Sequence, residues 1–423
     1  MQQSIRAARI RGSTFYHPLF KSSSPVAAIS ISRPFKGYTT TSYARHATTT
    51  STTGGVGLGN VKDQILPSVH GDKDLRSDGT PKSPSYATLS EPRTCSLIPC
   101  PMTFGQPFTG TDMGPELLMQ KGLPSMLSNL GWRVDRVPEV LGKSFGSSSS
   151  SSPPPSTSNA KNSSLVGLGA LSLAKLCLKK SSSGNFPLTL GGDHSISLGS
   201  LAGVLRSRPA TGVIWVDAHA DLNTPWISES GNMHGMPVGL LMEGMIPEGK
   251  KVEEVEGLEW LGEGWEGEEG WPAYKDGEKP PVLKPSSIVY VGLRDVDKEE
   301  REAIKSLNIK YYSMYDIDRL GIGAVMEKAL EHLLKDDPSR PLHLSYDIDA
   351  VDPGQAPATG TTVRGGLTYR EAHFVAERIA NSGNLASADL VELNPTLSDD
   401  VGAEETVDLG LQILTSMMGK SII

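Results

Sequence analysis

The sequence predicts one layered α/β domain over about 91–423 of its 423 residues. Three observations carry that expectation. Short apolar runs alternate with longer segments of helical period, the pattern of strands joined through helices. The runs are bounded by turn residues, and burial on both faces would suit them to a parallel sheet. Several of them end in Asp or His, and the carboxyl ends of strands are where open α/β sheets bind ligands.

Taken in order, the strand candidates are 94–99, 133–137, 187–190, 212–217, 287–293, 310–313, 341–347 and 386–393. Helix candidates between them are 114–130, 165–180, 195–206, 298–307, 323–334 and 369–381. Two stretches interrupt the alternation. Residues 144–164 are rich in Ser and Pro, and 244–284 are acidic and contain Trp260, Trp265 and Trp271. Both read as surface insertions, with the tryptophans anchoring a loop.

The first 62 residues hold Arg6, Arg9, Arg11, Lys21, Arg33, Lys36, Arg45 and Lys62 and no acid. That composition, rich in Arg, Ser and Thr, is expected of an organelle transit peptide, with a mitochondrial matrix address and a cytosolic alternative. Residues 46–90 read as a linker, so 1–90 form an extension before the domain. Removing those eight cations from the net charge of −8 leaves −16 on the rest. Such a body is a poor match for nucleic acid, whose affinity comes from cationic contacts to phosphate. No run of 18 apolar residues predicts a membrane span. The three cysteines, Cys95, Cys100 and Cys177, are too few and too scattered for a disulfide framework or a thiolate metal site.

The chemistry concentrates at three strand ends. Val213-Ile-Trp-Val-Asp217-Ala-His219-Ala-Asp221 runs an apolar strand into three potential ligands spaced two apart. On extended backbone that period places them on one side. Carboxylates and imidazole gathered there repel or stay unpaired without a cation. Leu342-His-Leu-Ser-Tyr-Asp347-Ile-Asp349 repeats the arrangement, and Asp352-Pro353 reads as the start of a turn. Leu190-Gly-Gly-Asp193-His194-Ser195 ends an apolar run in two glycines, which allow close backbone approach, and a His that opens a helix. The ligand set is then His194, Asp217, His219, Asp221, Asp347 and Asp349. Mixed imidazole and carboxylate without thiolate favours Mn²⁺, with Co²⁺, Ni²⁺ or Fe²⁺ as alternatives. Two ions held close lower the pKa of water between them. The loop that follows Asp221 directly, Asn223 to Gly235, carries polar groups between Gly and Pro and fits a substrate grip. In it His234 has the chemistry to move protons. Asp295, Asp297 and Glu392 at other strand ends point to a cationic substrate.

With these residues in view, the chain resembles the ureohydrolase superfamily and, within it, the arginases. The matching elements are GGDHS (191–195), VDAHAD (216–221), SGNMHG (230–235), GLRDVD (292–297), DIDAVDP (347–353), GGLTYREA (365–372) and LVELNP (390–395). GQPFTGTDMGPELL (105–118) matches loosely. The resemblance implies a three-layer α/β/α fold with an eight-stranded, mostly parallel sheet, and two Mn²⁺ per subunit of a homotrimer. One ion would take His194, Asp217, Asp221 and Asp347, and the other His219, Asp217, Asp347 and Asp349. A hydroxide bridging them would attack the guanidinium carbon of L-arginine, giving L-ornithine and urea. Asp221 would orient the hydroxide, His234 would pass protons, and Glu392 would pair with the guanidinium, supported by Thr361. Asn223, Ser228 and Ser230 would hold the substrate carboxylate, and Asp297, helped by Glu300, its amino group. The alternatives are an agmatinase or another guanidino hydrolase, a deacetylase on related architecture, and an inactive metal-binding scaffold. The intact ligand set and the SGNMHG loop favour arginine hydrolysis over all three.

Overall fold

The computed structural model describes residues 86–421 apart from 91, 141–158 and 276. The basic leader, most of 46–90 and most of the serine run lie outside the described residues. Eight strands form one sheet: β1 (Thr94–Cys100), β2 (Arg133–Arg136), β3 (Phe186–Gly191), β4 (Gly212–Val216), β5 (Ile288–Leu293), β6 (Lys310–Ser313), β7 (Leu342–Asp347) and β8 (Leu385–Val391). Their spatial order is β2-β1-β3-β8-β7-β4-β5-β6, and every pairing is parallel. Strands β3, β4, β5, β7 and β8 are buried along their whole length, and β4 and β5 are accordingly apolar throughout, whereas β7 and β8 also bury His343, Ser345 and Asp389. The edge strands β2 and β6 have four residues each and expose Arg133, Arg136 and Lys310, which discourages further strand pairing.

Ten helices surround the sheet among the described residues. They are α1 (Met113–Gln120), α2 (Leu123–Asn129), α3 (Ser163–Ser182), α4 (Ser197–Ser207), α5 (Pro237–Leu241), α6 (Lys298–Ser306), α7 (Met314–Leu320), α8 (Ile322–Leu334), α9 (Tyr369–Ala380) and α10 (Asp400–Met417). Successive strand residues face opposite ways and feed two separate cores. Leu97, Ile214, Val289 and Leu344 pack with α1, α2 and α7–α10. Ile98, Val213, Trp215 and Tyr290 pack with α3–α6. The result is the three-layer α/β/α arrangement that the resemblance implied.

Several expected elements differ in detail. The helix expected over 114–130 is two, broken at Gly122, whose φ of 96° suits a residue without a side chain. Residues expected to start a helix at 195 instead open with a 3₁₀ turn, His194–Ile196, before α4. Helix α3 begins at Ser163, so the end of the 144–164 stretch is helical rather than loop. Helices α5, α7 and α10 lie outside the expected set; buried Thr406, Gly410, Thr415 and Ser416 dilute the apolar period of α10. Contacts of the domain also begin before residue 91. Tyr86 is buried and its hydroxyl donates to the Met417 carbonyl at 2.7 Å. In the acidic insertion Trp260 and Trp271 are buried edge to face, 5.3 Å between centroids, and the Arg206 guanidinium of α4 lies 4.5 Å over Trp271. They anchor the insertion, as expected of aromatic loop residues.

Candidate metal centre

Strands β3, β8, β7 and β4 are neighbours, and their carboxyl ends bring the predicted ligands together. After β3 the chain turns at Gly191 and Gly192; a Cβ on Gly192 would collide with the Met102 carbonyl. Asp193 then caps the 3₁₀ turn by accepting from Ser195 N–H at 3.0 Å and also holds Gly105 N–H at 2.8 Å. That turn aims His194 inward, where Nδ1 lies 3.1 Å from Asp217 Oδ2, 3.0 Å from Asp221 Oδ2 and 3.1 Å from Asp347 Oδ2. His219 Nδ1 lies 3.3 Å from Asp217 Oδ1 and 3.2 Å from Asp349 Oδ2. Asp217 is common to both groups, and Asp347 Oδ1 accepts from Asp349 N–H at 2.7 Å.

These side chains do not share a strand face. Strand β4 ends at Val216, so Asp217, His219 and Asp221 occupy a loop, contrary to the period-two reading. Asp221 has φ of 49°, and its carbonyl accepts from Val238 N–H at 3.0 Å. Tyr290 of β5 donates to the Ala220 carbonyl at 2.8 Å. The loop is thus shaped by its neighbours. Trp215 completes the setting: its ring stacks on His194 at 4.2 Å and its N–H donates to Asp217 Oδ2 at 3.0 Å. Arg294 holds the backbone carbonyls of Ala350 and Val363, each at 3.1 Å, steadying the turn that carries Asp349.

The donor chemistry fits cations. His194 Nδ1 is buried, makes no hydrogen bond, and faces three carboxylate oxygens. Neighbouring ligands of an octahedral ion held at about 2.1 Å lie about 3.0 Å apart, the spacing seen here. Burial disfavours charge on both imidazoles, yet the surrounding aspartates outweigh it and push both pKa values far upward. Burial, joined by repulsion from Asp217, raises Asp221 to about 6 and lifts Asp347 and Asp349 as well. Four buried carboxylates beside two imidazoles therefore require either protons or metal. Two dications would neutralise four carboxylates and leave both rings neutral, the form that ligates.

A cleft of about 140 Å³ opens over the cluster. It is lined by His194, His219, Asp221 and Asp347 with Asn223, Ser228, Ser230, His234, Asp297, Glu300 and Thr361, so the predicted substrate residues are gathered at one opening. Asn223 donates to Asp297 Oδ2 at 2.9 Å. Glu300 is buried near the start of α6 and accepts from Leu222 N–H at 2.8 Å and Asp297 N–H at 3.0 Å, bracing both loops. Glu392 lies deeper, just after β8, with φ of 64°. It accepts from His194 N–H and Gln106, both at 2.8 Å, and faces His234 Nδ1 at 3.4 Å. Burial opposes charge on His234, but Glu392 prevails and raises its pKa to about 9. The Thr361 hydroxyl donates to Asp349 Oδ2 at 3.0 Å. Gln106 was not singled out by sequence reasoning; its only signal is its place in the loosely matching 105–118 segment.

The model of the Arginase family matches residues 93–419. Arginase of Glaciozyma antarctica is 40% identical over 353 residues, 83% of this chain and 95% of that protein. Mitochondrial arginase-2 of Homo sapiens is 40% identical over 330 residues, 77% of this chain and 85% of that protein. The crystal structure of Entamoeba histolytica arginase in complex with L-ornithine superposes with a TM-score of 0.62 at 28% identity, covering 78% of this chain and 99% of that one.

Proposed function

The chain belongs to the arginase family and hydrolyses L-arginine to L-ornithine and urea; from that premise we propose how its own residues do so. The observation that carries the reading is the buried His194 Nδ1, without a hydrogen-bond partner, facing Asp217, Asp221 and Asp347 within 3.1 Å, with His219 and Asp349 joined to it through Asp217. His194, Asp217, Asp221 and Asp347 would hold one Mn²⁺, and His219, Asp217, Asp347 and Asp349 the other. When bound, such a pair lowers the pKa of water enough to supply a nucleophile near neutral pH.

Asn223, Ser228 and Ser230 grip the carboxylate of arginine from the loop over the cleft. Asp297 takes its α-amino group, with Glu300 fixing the position of Asp297 from behind. This grip sets the guanidinium carbon above the cluster, where orientation supplies much of the rate. Glu392 attracts the guanidinium from below and keeps His234 charged. Asp221 accepts the proton of the attacking water. The water oxygen bonds to the guanidinium carbon, the bond from that carbon to arginine Nε breaks, and His234, a cationic acid at neutral pH, protonates the leaving amine. Thr361 holds Asp349 in its ligand orientation.

Urea release from arginine, agmatine and guanidinobutyrate tests the substrate assignment. The carboxylate grip predicts strong preference for arginine. Equal or better turnover of agmatine would assign the chain to agmatine instead, and no urea from any of them would make it a silent metal-binding scaffold.

The chain also acts in arginine catabolism as a homotrimer within the mitochondrial matrix on this reading. The acid-free, Arg-rich 1–62 segment supports the address, and an intact Met1 on the native protein would reject it. No helix of the described residues is long and apolar enough to cross a membrane.

A further inference from the structure

A buried hydrogen-bond path leads from His194 away from the cluster and into the sheet. His194 Nε2 is 2.9 Å from Ser345 Oγ on β7. Ser345 Oγ is 3.2 Å from Ser197 Oγ, the first residue of α4. Ser197 Oγ donates to Asp389 Oδ2 on β8 at 3.0 Å. Two other groups reach the same oxygen, Ser200 Oγ at 2.6 Å and His343 Nε2 at 3.2 Å. Ser197, Ser200, His343, Ser345 and Asp389 are each at most 1% exposed, so these bonds are shielded from bulk solvent.

The path has a direction. Burial works against charge on Asp389, but His343 and the two serines outweigh it and hold the carboxyl below its usual range. An ionised carboxylate only accepts, and each hydroxyl has a single hydrogen to give. Ser197 gives its hydrogen to Asp389 and so can only accept from Ser345. Ser345 gives its hydrogen to Ser197 and so can only accept from His194. The ring must then carry a hydrogen on Nε2, and its neutral form has Nδ1 free to ligate. Nδ1 is the atom that faces Asp217, Asp221 and Asp347.

We propose that Asp389, Ser197 and Ser345 are positioning residues that fix His194 in its ligating tautomer and thereby set the cation affinity of the site it serves. This rests on the reading that the cluster holds divalent cations. Metal-ligating histidines depend on the partner of their second nitrogen, whose loss weakens metal binding by about 10–100-fold. His219 is off this path, so the effect falls on one of the two ions.

Mn²⁺ titration of metal-stripped full-length protein, followed calorimetrically, tests the proposal with a matched pair of variants. Ser197→Ala and Ser200→Ala each delete one hydroxyl donating to the same Asp389 oxygen, and only the first interrupts the path. Ser197→Ala is expected to weaken one binding step by about tenfold and leave the other unchanged. Ser200→Ala is expected to keep both steps while losing comparable thermal stability. Ser345→Ala removes the Nε2 partner itself and should weaken the same step at least as much; it carries the test if Ser197→Ala does not fold. Affinities equal in Ser197→Ala and Ser200→Ala, or unchanged in Ser345→Ala, would overturn the relay. Wild-type protein that binds no Mn²⁺ would overturn the metal reading beneath it.

Discussion

At His234 burial and a carboxylate pull in opposite directions, and the carboxylate of Glu392 wins. The folded pKa rises from 6.5 to about 9, so the pair stabilises the metal-free fold fully below 6.5 and loses that contribution as pH climbs through 9. Melting temperatures of metal-free wild type and His234→Ala should therefore converge between about pH 6 and pH 10, a change on the order of 1–3 kcal/mol. A gap independent of pH would mean that His234 is not charged by Glu392. In the loaded enzyme the same variant should slow turnover by about 10²–10⁴-fold while both ions stay bound; loss of an ion would make His234 a ligand. The residue types of the site were legible in the sequence because Asp, His and Gly cluster at the ends of apolar runs. The partners were not. Thr361 on Asp349, Gln106 on Glu392, and Ser345 beneath His194 join segments far apart in the chain, and no local spacing encodes such contacts.

Strands were readable wherever both faces are buried, as in β4 and β5, because their sequences are apolar without interruption. Helix limits were less so. Gly122 splits α1 from α2 without disturbing the apolar pattern across them, and the polar residues buried in α10 mask its period. The spacing of Asp217, His219 and Asp221 pointed to the right residues through a strand geometry that the backbone does not have. They converge because β5, α5 and Asp349 shape the loop from outside. The acidic insertion is held to α4 through Trp271, Trp260 and Arg206, and none of its residues lines the cleft. Trp271→Ala should lower stability by about 3–5 kcal/mol in chemical denaturation and leave arginine turnover per folded chain unchanged. Intact stability with impaired turnover would place the insertion in the catalytic apparatus.

The whole molecule turns a sheet order into a site. Because β3, β8, β7 and β4 lie side by side, segments separated by some 200 residues deliver His194, Asp217, His219, Asp221, Asp347, Asp349 and Glu392 to one edge of the sheet. That order could not be read from the sequence; the layered fold class could, from the alternation of runs and helices. On the proposed reading, two dications would balance the four aspartates and leave both rings free to ligate. Stepwise return of Mn²⁺ to metal-stripped protein, with urea release from arginine followed at each addition, tests this most directly. Activity should be absent at the start and reach its plateau at two ions per chain. Full activity in the stripped protein, or a plateau at one ion, would contradict it.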